Sequence, residues 1–258
     1  MSRQDPDVID SVEKAFRVLQ TFSSDHPTLT VSEAAELTGL SRATARRILL
    51  TCVRLGFAEA DGRRFRLTPR VLRLGYGYLS SLPIWERAQP HMLALADEVR
   101  ESCSAATLDG GEIVYVARVP ANRSMSITLS VGSRLPAYPT SMGRVLLAAL
   151  PEPRLAEYLR TVELEPLTSQ TITDPRELAA KLAQVREQGY AMVDGEREEG
   201  VRSAAAPVRD SSGAVIAAIN VSVNAGRISV ADLRKRCVPL VIEAAGAISR
   251  DIGYVPGP

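Results

Sequence analysis

Nine arginines fall between Leu40 and Gly75, against only Glu59 and Asp61 of opposite sign. The chain as a whole carries a formal net charge of +1 over 258 residues. A basic segment on a near-neutral body suits neutralisation of a polyanion by one part of the molecule. The spacing of the arginines narrows that chemistry. Arg42, Arg46 and Arg47 recur with Ala43 and Thr44 just behind Ser41. Arginine at such a place can fork onto guanine O6 and N7, while Ser and Thr can reach phosphates or bases. Arg63, Arg64 and Arg66 flank or follow Asp61-Gly62, a strong hairpin dipeptide. Cations on a hairpin can rest on a phosphate backbone or in a minor groove.

A second set of residues suits a small anion. Thr140-Ser141-Met142-Gly143 places hydroxyls and backbone N–H groups where a helix would begin. Unpaired donors and the helix dipole favour a carboxylate there, although ordinary capping explains the same residues. Asn220 and Ser222 share one face of the otherwise apolar strand AVIAAINVSV. Polar side chains aimed into a sheet face need partners, and a ligand is one. Arg134, just ahead of the proline-marked loop, is a candidate carboxylate partner by its charge.

Catalytic chemistry finds little support. There is no GxSxG, HExxH, phosphate loop or dinucleotide fingerprint. The only histidines are His26 and His91, and Cys52, Cys103 and Cys237 lie far apart with no CxxC. Neither a zinc site nor a disulfide framework is expected, and each cysteine reads as a small core residue. The acidic run GEREEG (195–200) reads as a solvated loop. No catalytic residue, metal or cofactor is therefore assigned. An enzyme domain acting on a small acid, tethered to a DNA-binding module, is the alternative reading.

The elements that must position these residues follow from periodicity and punctuation. Val12, Ala15, Phe16 and Leu19 give a first helix over Asp10–Phe22, with Asp10 and Glu13 fitting a capping box. Thr30, with Glu33 as reciprocal cap, starts a second helix that carries Ser32 in its first turn. Gly39 supplies a sharp reversal, and Ser41 caps a third helix whose buried stripe is Ala45, Ile48, Leu49 and Cys52. Its arginines are left on the outward side near its start, where recognition helices contact bases. Phe57–Thr68 reads as a basic hairpin, and Pro69 opens a further helical stretch broken at Pro83. Residues 84–102 form another helix, bent or interrupted near Pro90.

Beyond Ser102 the pattern turns to strands. SCSAATLD and EIVYVARV form a hairpin across Asp109-Gly110-Gly111, and SMSITLSV is a third strand. Helices follow after Thr140 or Ser141, over Arg154–Thr161, and over Pro175–Gln188 with Asp174 as N-cap. Strands over 190–193, 203–209 and 214–223 precede a long final helix from Ser229 to Ile252. Without regular βαβ alternation this is a mixed α/β fold with a mainly antiparallel sheet flanked by helices. No apolar run is long enough to cross a bilayer, and the amino terminus is unlike a secretory signal. A soluble cytoplasmic protein, nucleoid-associated when bound to DNA, is expected.

The motifs SVEKAFRVLQTF, TVSEAAELTGLSRATARRILLTCVRLGFAEADGRRFRLTPRVLRLG, LPAYPTSMGRVLLAAL and GYAMVDGEREEGVRSAAAPVRDSSGAVIAAINVSV, in this order, resemble the IclR family of bacterial transcriptional regulators. The resemblance runs from Asp10 to about Ile252. More narrowly, the segment from RILLTCVRLG, SCSAATLDGGEIVYVARV and VGSRLPAYPTSMGRVLLAAL is similar to the branch controlling aromatic-acid catabolism through the β-ketoadipate pathway. It implies a winged helix-turn-helix over residues 8–70, a helical linker over 71–82, and a GAF-like effector and oligomerisation domain over 83–255. Homodimers or homotetramers, a palindromic double-stranded operator, a small aromatic or dicarboxylate effector and no catalysis are implied with it. By position, the family's ligand pocket falls on Ser141, Met142, Val193, Ser203, Asn220 and Ser222, with Gly143 beside it. Val193 stands where some members have aspartate and Ser203 where many have cysteine. The neighbouring Asp194 keeps the polarity of such a pocket open.

Overall fold

The computed structural model describes residues 7–81, 84–121 and 129–255. Two compact units divide it, Met1–Ser81 and Leu82–Pro258.

In the first unit, side-chain caps fix the helix starts. Helix α1 spans Asp10–Gln20. Its N-cap is Ile9, with no side-chain cap bond, so the expected capping box is absent. Asp10 is the first helical residue and pairs with Lys14 one turn on. A two-residue strand β1 (Leu29–Thr30) leads into α2 (Val31–Thr38). There the reciprocal cap is complete, with Thr30 Oγ1 accepting from Glu33 N at 3.2 Å and Glu33 Oε2 accepting from Thr30 N at 2.7 Å. Gly39, at φ +68°, ends α2 in the left-handed conformation that a side chain would strain. Ser41 Oγ accepts from Thr44 N and starts α3 (Arg42–Leu55). Strands β2 (Ala58–Asp61) and β3 (Arg64–Leu67) pair antiparallel, and β1 adds to β3. Asp61 faces Arg64, so the turn residues are Gly62 and Arg63, one position beyond the expected dipeptide. Val18, Leu29, Ala34, Ala45, Leu49 and Phe65 make the core. A short 3-10 turn at Pro69–Val71 then enters α4 (Leu72–Ser81).

The second unit begins with α5 (Ile84–Val99), which runs on through Pro90 where a break was expected. Proline there removes one N–H from the helical ladder without ending the helix. Arg100, at φ +56°, ends the helix before β4. The break expected at Pro83 lies outside the described residues. Strands β4 (Ser102–Asp109), β5 (Glu112–Val119), β6 (Arg134–Pro136), β7 (Ala191–Asp194), β8 (Val201–Arg209) and β9 (Val215–Asn224) form one sheet in the order β6-β5-β4-β9-β8-β7. Every pairing is antiparallel. The strand expected over SMSITLSV lies mostly outside the described residues, and its last three residues, 129–131, are not in a strand.

Helices cover both faces of this sheet. Ala106, Ala191, Ala205 and Ala218 join one core with α6 (Ser141–Ala148) and α8 (Pro175–Gln188). Helix α7 (Glu152–Thr161) packs beside α8. The chain closes with α9 (Val230–Asp232), a π-helical turn (Leu233–Cys237) and α10 (Val238–Asp251), and α10 packs on β8 and on α5. Every residue of α6 is buried, Arg144 included. A cation inside so apolar a helix needs a partner, and that requirement leads to the site.

Candidate functional site

The outward face of α3 carries three arginines. Arg42, Ala43, Arg46 and Arg47 are exposed with Ser41, and Thr44 is half-buried. Among the described residues none of these three guanidinium groups makes an ion pair. Ser32, in the first turn of α2, is exposed as well, while Thr30 has its hydroxyl taken up in the helix cap. The hairpin arginines divide. Arg63, at the turn, is exposed, whereas Arg64 donates to Thr28 and to Glu33, and Arg66 to Glu59 at 2.5 Å. Arg64 and Arg66 thus brace their own unit, because cross-strand and cap carboxylates lie within reach.

In the second unit the sheet register assembles a polar row. Val193 faces Ser203, Ser203 faces Ser222, and Asn220 lies two residues along on the same face of β9. The start of α6 comes down on that row, and Ser141, Met142, Val193, Ser203, Asn220 and Ser222 line one cavity of about 50 Å³. Tyr115, Leu129 and Leu135 supply apolar wall, and Arg197 and Glu198 supply its charges.

Two buried polar atoms in this wall have no partner among the described residues. Ser141 Oγ is one, at the first residue of α6. Asn220 is the other: its Nδ2 donates to Ser222 Oγ at 3.1 Å, while Oδ1 has no partner. Unpaired buried polar atoms are uncommon in native folds because each costs desolvation. Burial pushes the Tyr115 phenol pKa up, and the charges of Arg197 and Arg118 pull it partly back. The wall therefore presents hydroxyls, an amide and a nearby cation around an apolar floor. That arrangement can bind a small acid and lacks an activated nucleophile. Cys103, close by on β4, has its thiol pushed up to about 12 by burial and is inert.

Three expected site residues lie elsewhere. Arg134 is at the sheet edge, where its guanidinium donates to Asp109 at 2.7 Å and to Glu112 at 2.8 Å. Those bonds raise its pKa and occupy it outside the cavity, since pairing of β6 with β5, and of β5 with β4, brings both carboxylates to it. Asp194 is exposed and accepts from Arg202 at 2.6 Å, so it adds no charge to the cavity. Gly143 serves the backbone: a Cβ there would lie 2.0 Å from Ala137 O, and its N–H donates to Thr140 Oγ1. Its lack of a side chain lets the 137–140 loop close onto α6.

The run GEREEG is no solvated loop. Glu196 is buried and pairs with Arg144, whose Nε also donates to Tyr138 O at 3.0 Å. Arg197, next along, lines the cavity. The signal for the first pair was present: one arginine inside SMGRVLLAAL demands a buried carboxylate. Nothing local marked Arg197.

Comparison with known proteins places this geometry. The IclR helix-turn-helix domain matches residues 11–62, and the bacterial transcriptional regulator IclR C-terminal domain matches residues 76–250. The Pca regulon regulatory protein of Pseudomonas putida is 44% identical over 249 residues, covering 96% of this chain and 84% of that protein. A crystal structure from Rhodococcus sp. RHA1 superposes with a TM-score of 0.83 at 47% identity, covering 95% of this chain and 98% of its own. An IclR homolog of Microbacterium hydrocarbonoxydans complexed with 4-hydroxybenzoate superposes at 0.83 with 29% identity, covering 94% of this chain and 98% of its own.

Proposed function

The chain belongs to the IclR family of bacterial transcriptional regulators, and from that premise we propose that it governs an aromatic-acid catabolic operon by binding an aromatic or dicarboxylate effector in the cavity between α6 and the sheet. As a member it is a ligand-responsive DNA-binding regulator and not an enzyme. The observation that carries the effector reading is the pair of unsatisfied atoms, Ser141 Oγ and Asn220 Oδ1, facing one cavity. Pca regulation in the Pseudomonas putida relative and 4-hydroxybenzoate in the Microbacterium structure supply the ligand class.

The DNA-reading side chains in this proposal are Arg42, Thr44, Arg46 and Arg47 on α3, with Ser41 and Ala43 against the groove wall. Arg63 at the hairpin turn adds phosphate contact. A palindromic operator calls for two copies of this surface, hence a dimer or tetramer. The organisation follows residues 8–70 for DNA, 71–82 as linker and 83–255 for effector and assembly.

The test is a thermal-shift screen of the full chain with protocatechuate, 4-hydroxybenzoate, catechol-derived acids and β-ketoadipate. At least one must raise Tm, because a ligand of the native state adds RT ln(1 + [L]/Kd) to stability. It must also change retention of a promoter fragment that Arg46→Ala/Arg47→Ala no longer retains. Unchanged melting across the panel, at concentrations saturating for micromolar binding, ends the effector reading.

A further inference from the structure

We propose that Arg197 binds the effector's carboxylate and thereby sets the preference of this cavity for anionic ligands, an inference that rests on the effector reading above. Arg197 is the one cation among the cavity's described lining residues, and it shares that wall with Ser141 and Asn220. Arg134 and Arg202, near the sheet's two edges, are each paired with carboxylates on neighbouring strands.

The backbone that carries Arg197 is held from several sides. Glu196 is buried against Arg144, Thr171 Oγ1 donates to Glu196 O at 2.5 Å, and Thr168 Oγ1 donates to Gly195 O at 2.7 Å. Gly195 N donates to Val201 O at 2.9 Å and closes the loop. The guanidinium, by contrast, has one side-chain partner among the described residues. Its Nη1 donates to Glu198 Oε2 at 3.1 Å, and the two side chains are 30% and 42% exposed. A part-buried pair of adjacent residues with a single 3.1 Å bond is one a ligand carboxylate can replace. A pinned main chain with an exchangeable charged end is what a preorganised anion clamp requires.

The rest of the wall completes the binding. A carboxylate held by the forked guanidinium can also accept from the Ser141 hydroxyl, which has no other partner among the described residues. A hydroxyl at the far end of an aromatic ring can then meet the free end of the Asn220 amide. Arg197 already acts on the aromatic wall, since its charge offsets part of the burial that raises the Tyr115 pKa. Glu198, which lines the same cavity, is the carboxylate a ligand displaces.

Isothermal titration of the full chain with 4-hydroxybenzoate and its neutral isostere 4-hydroxybenzamide tests the assignment. Arg197→Gln should weaken the acid by about 10–100-fold, the range for losing a charge-assisted hydrogen bond, and leave the amide within about twofold. Glu198→Gln should tighten the acid by about two- to fivefold by removing the competitor. If Arg197→Gln does not fold, Arg197→Lys carries the comparison, since a point charge without the fork must still cost the acid more than the amide. Acid affinity unchanged in Arg197→Gln, or equal losses for acid and amide, overturns the assignment. If Ser141→Ala or Asn220→Ala weakens the acid while Arg197→Gln does not, the effector reading stands and this inference alone falls. If wild-type protein binds neither probe nor any acid of the screen, the effector reading fails first.

Discussion

Glu196, Arg197 and Glu198 are consecutive, yet the fold treats them as three different kinds of charge. Glu196 is buried with Arg144, whose side chain has no exposure at all; Arg197 lines the cavity; Glu198 is half out in water. Burial makes the first pair expensive to break. Glu196→Gln leaves the Arg144 cation uncompensated in the core, which should cost about 3–5 kcal/mol. Urea unfolding of the full chain, followed on the second unit's transition, measures it. The double change Arg144→Met/Glu196→Leu should recover most of the loss, because both desolvated charges then disappear together. Equal losses in the single and double variants would show that the pair is not what holds this loop. The same residues show where reading the sequence stopped. Ser141, Met142, Val193, Ser203, Asn220 and Ser222 were all named beforehand, and the fold brings them to one cavity. Arg134 was chosen for its charge and its nearness in sequence to that loop. Its carboxylate partners lie 22 and 25 residues away, and only strand pairing reveals them.

At the level of elements, what was legible is what is local. The starts of α2, α3, α6 and α8 follow Thr30, Ser41, Thr140 and Asp174, each a side chain that bonds an N–H two or three residues on. Helix α1 begins at Asp10 as expected, but without the capping box, because Asp10 is its first helical residue and pairs with Lys14. Strand limits moved by one or two residues, since cross-strand partners and not local residues decide them. The cap of α2 carries a measurable pH dependence. The Thr30 backbone bond chiefly, then its hydroxyl and Arg64, hold the Glu33 carboxyl below its ordinary 4.5. A depressed carboxylate pKa stabilises the fold above the unfolded value, and that stabilisation is lost as pH falls through the folded one. Melting of the first unit should therefore decline below about pH 4.5 in wild type. Glu33→Gln should reduce that decline while keeping the cap's geometry. An identical pH profile in the two proteins would remove Glu33 from the account.

For the whole molecule the governing question is how the effector proposed for the second unit would reach operator affinity. The cavity holds about 50 Å³. Benzene fills an engineered cavity of about 150 Å³, so an aromatic acid requires the walls to part. A ligand that binds only the opened arrangement shifts the population toward it, and a 100-fold change in DNA affinity needs about 2.7 kcal/mol of coupling. Such a shift becomes a change in operator reading when two DNA-binding units are held in register. The first unit has a surface suited to holding a second copy. Val12 and Phe16 of α1, Leu55 of α3 and Leu74 of α4 are 48%, 51%, 54% and 51% exposed around one largely apolar groove of about 620 Å³, and a partner seated on their side of it must leave Thr44 and Arg47 on its α3 rim open to DNA. Contiguous exposed apolar surface of that kind is what an association site requires. A charge placed in its middle tests the reading, because an exposed position tolerates aspartate in the monomer but not under a partner. Phe16→Asp should melt within a few degrees of wild type yet lower the sedimenting mass toward the monomer. On DNA it should bind a palindromic operator at least about 10-fold more weakly while a half-site is bound as before, since only the coupling of two half-sites is lost. A Phe16→Asp protein that keeps the wild-type mass and the wild-type preference for the full operator would place the pairing surface elsewhere in the chain.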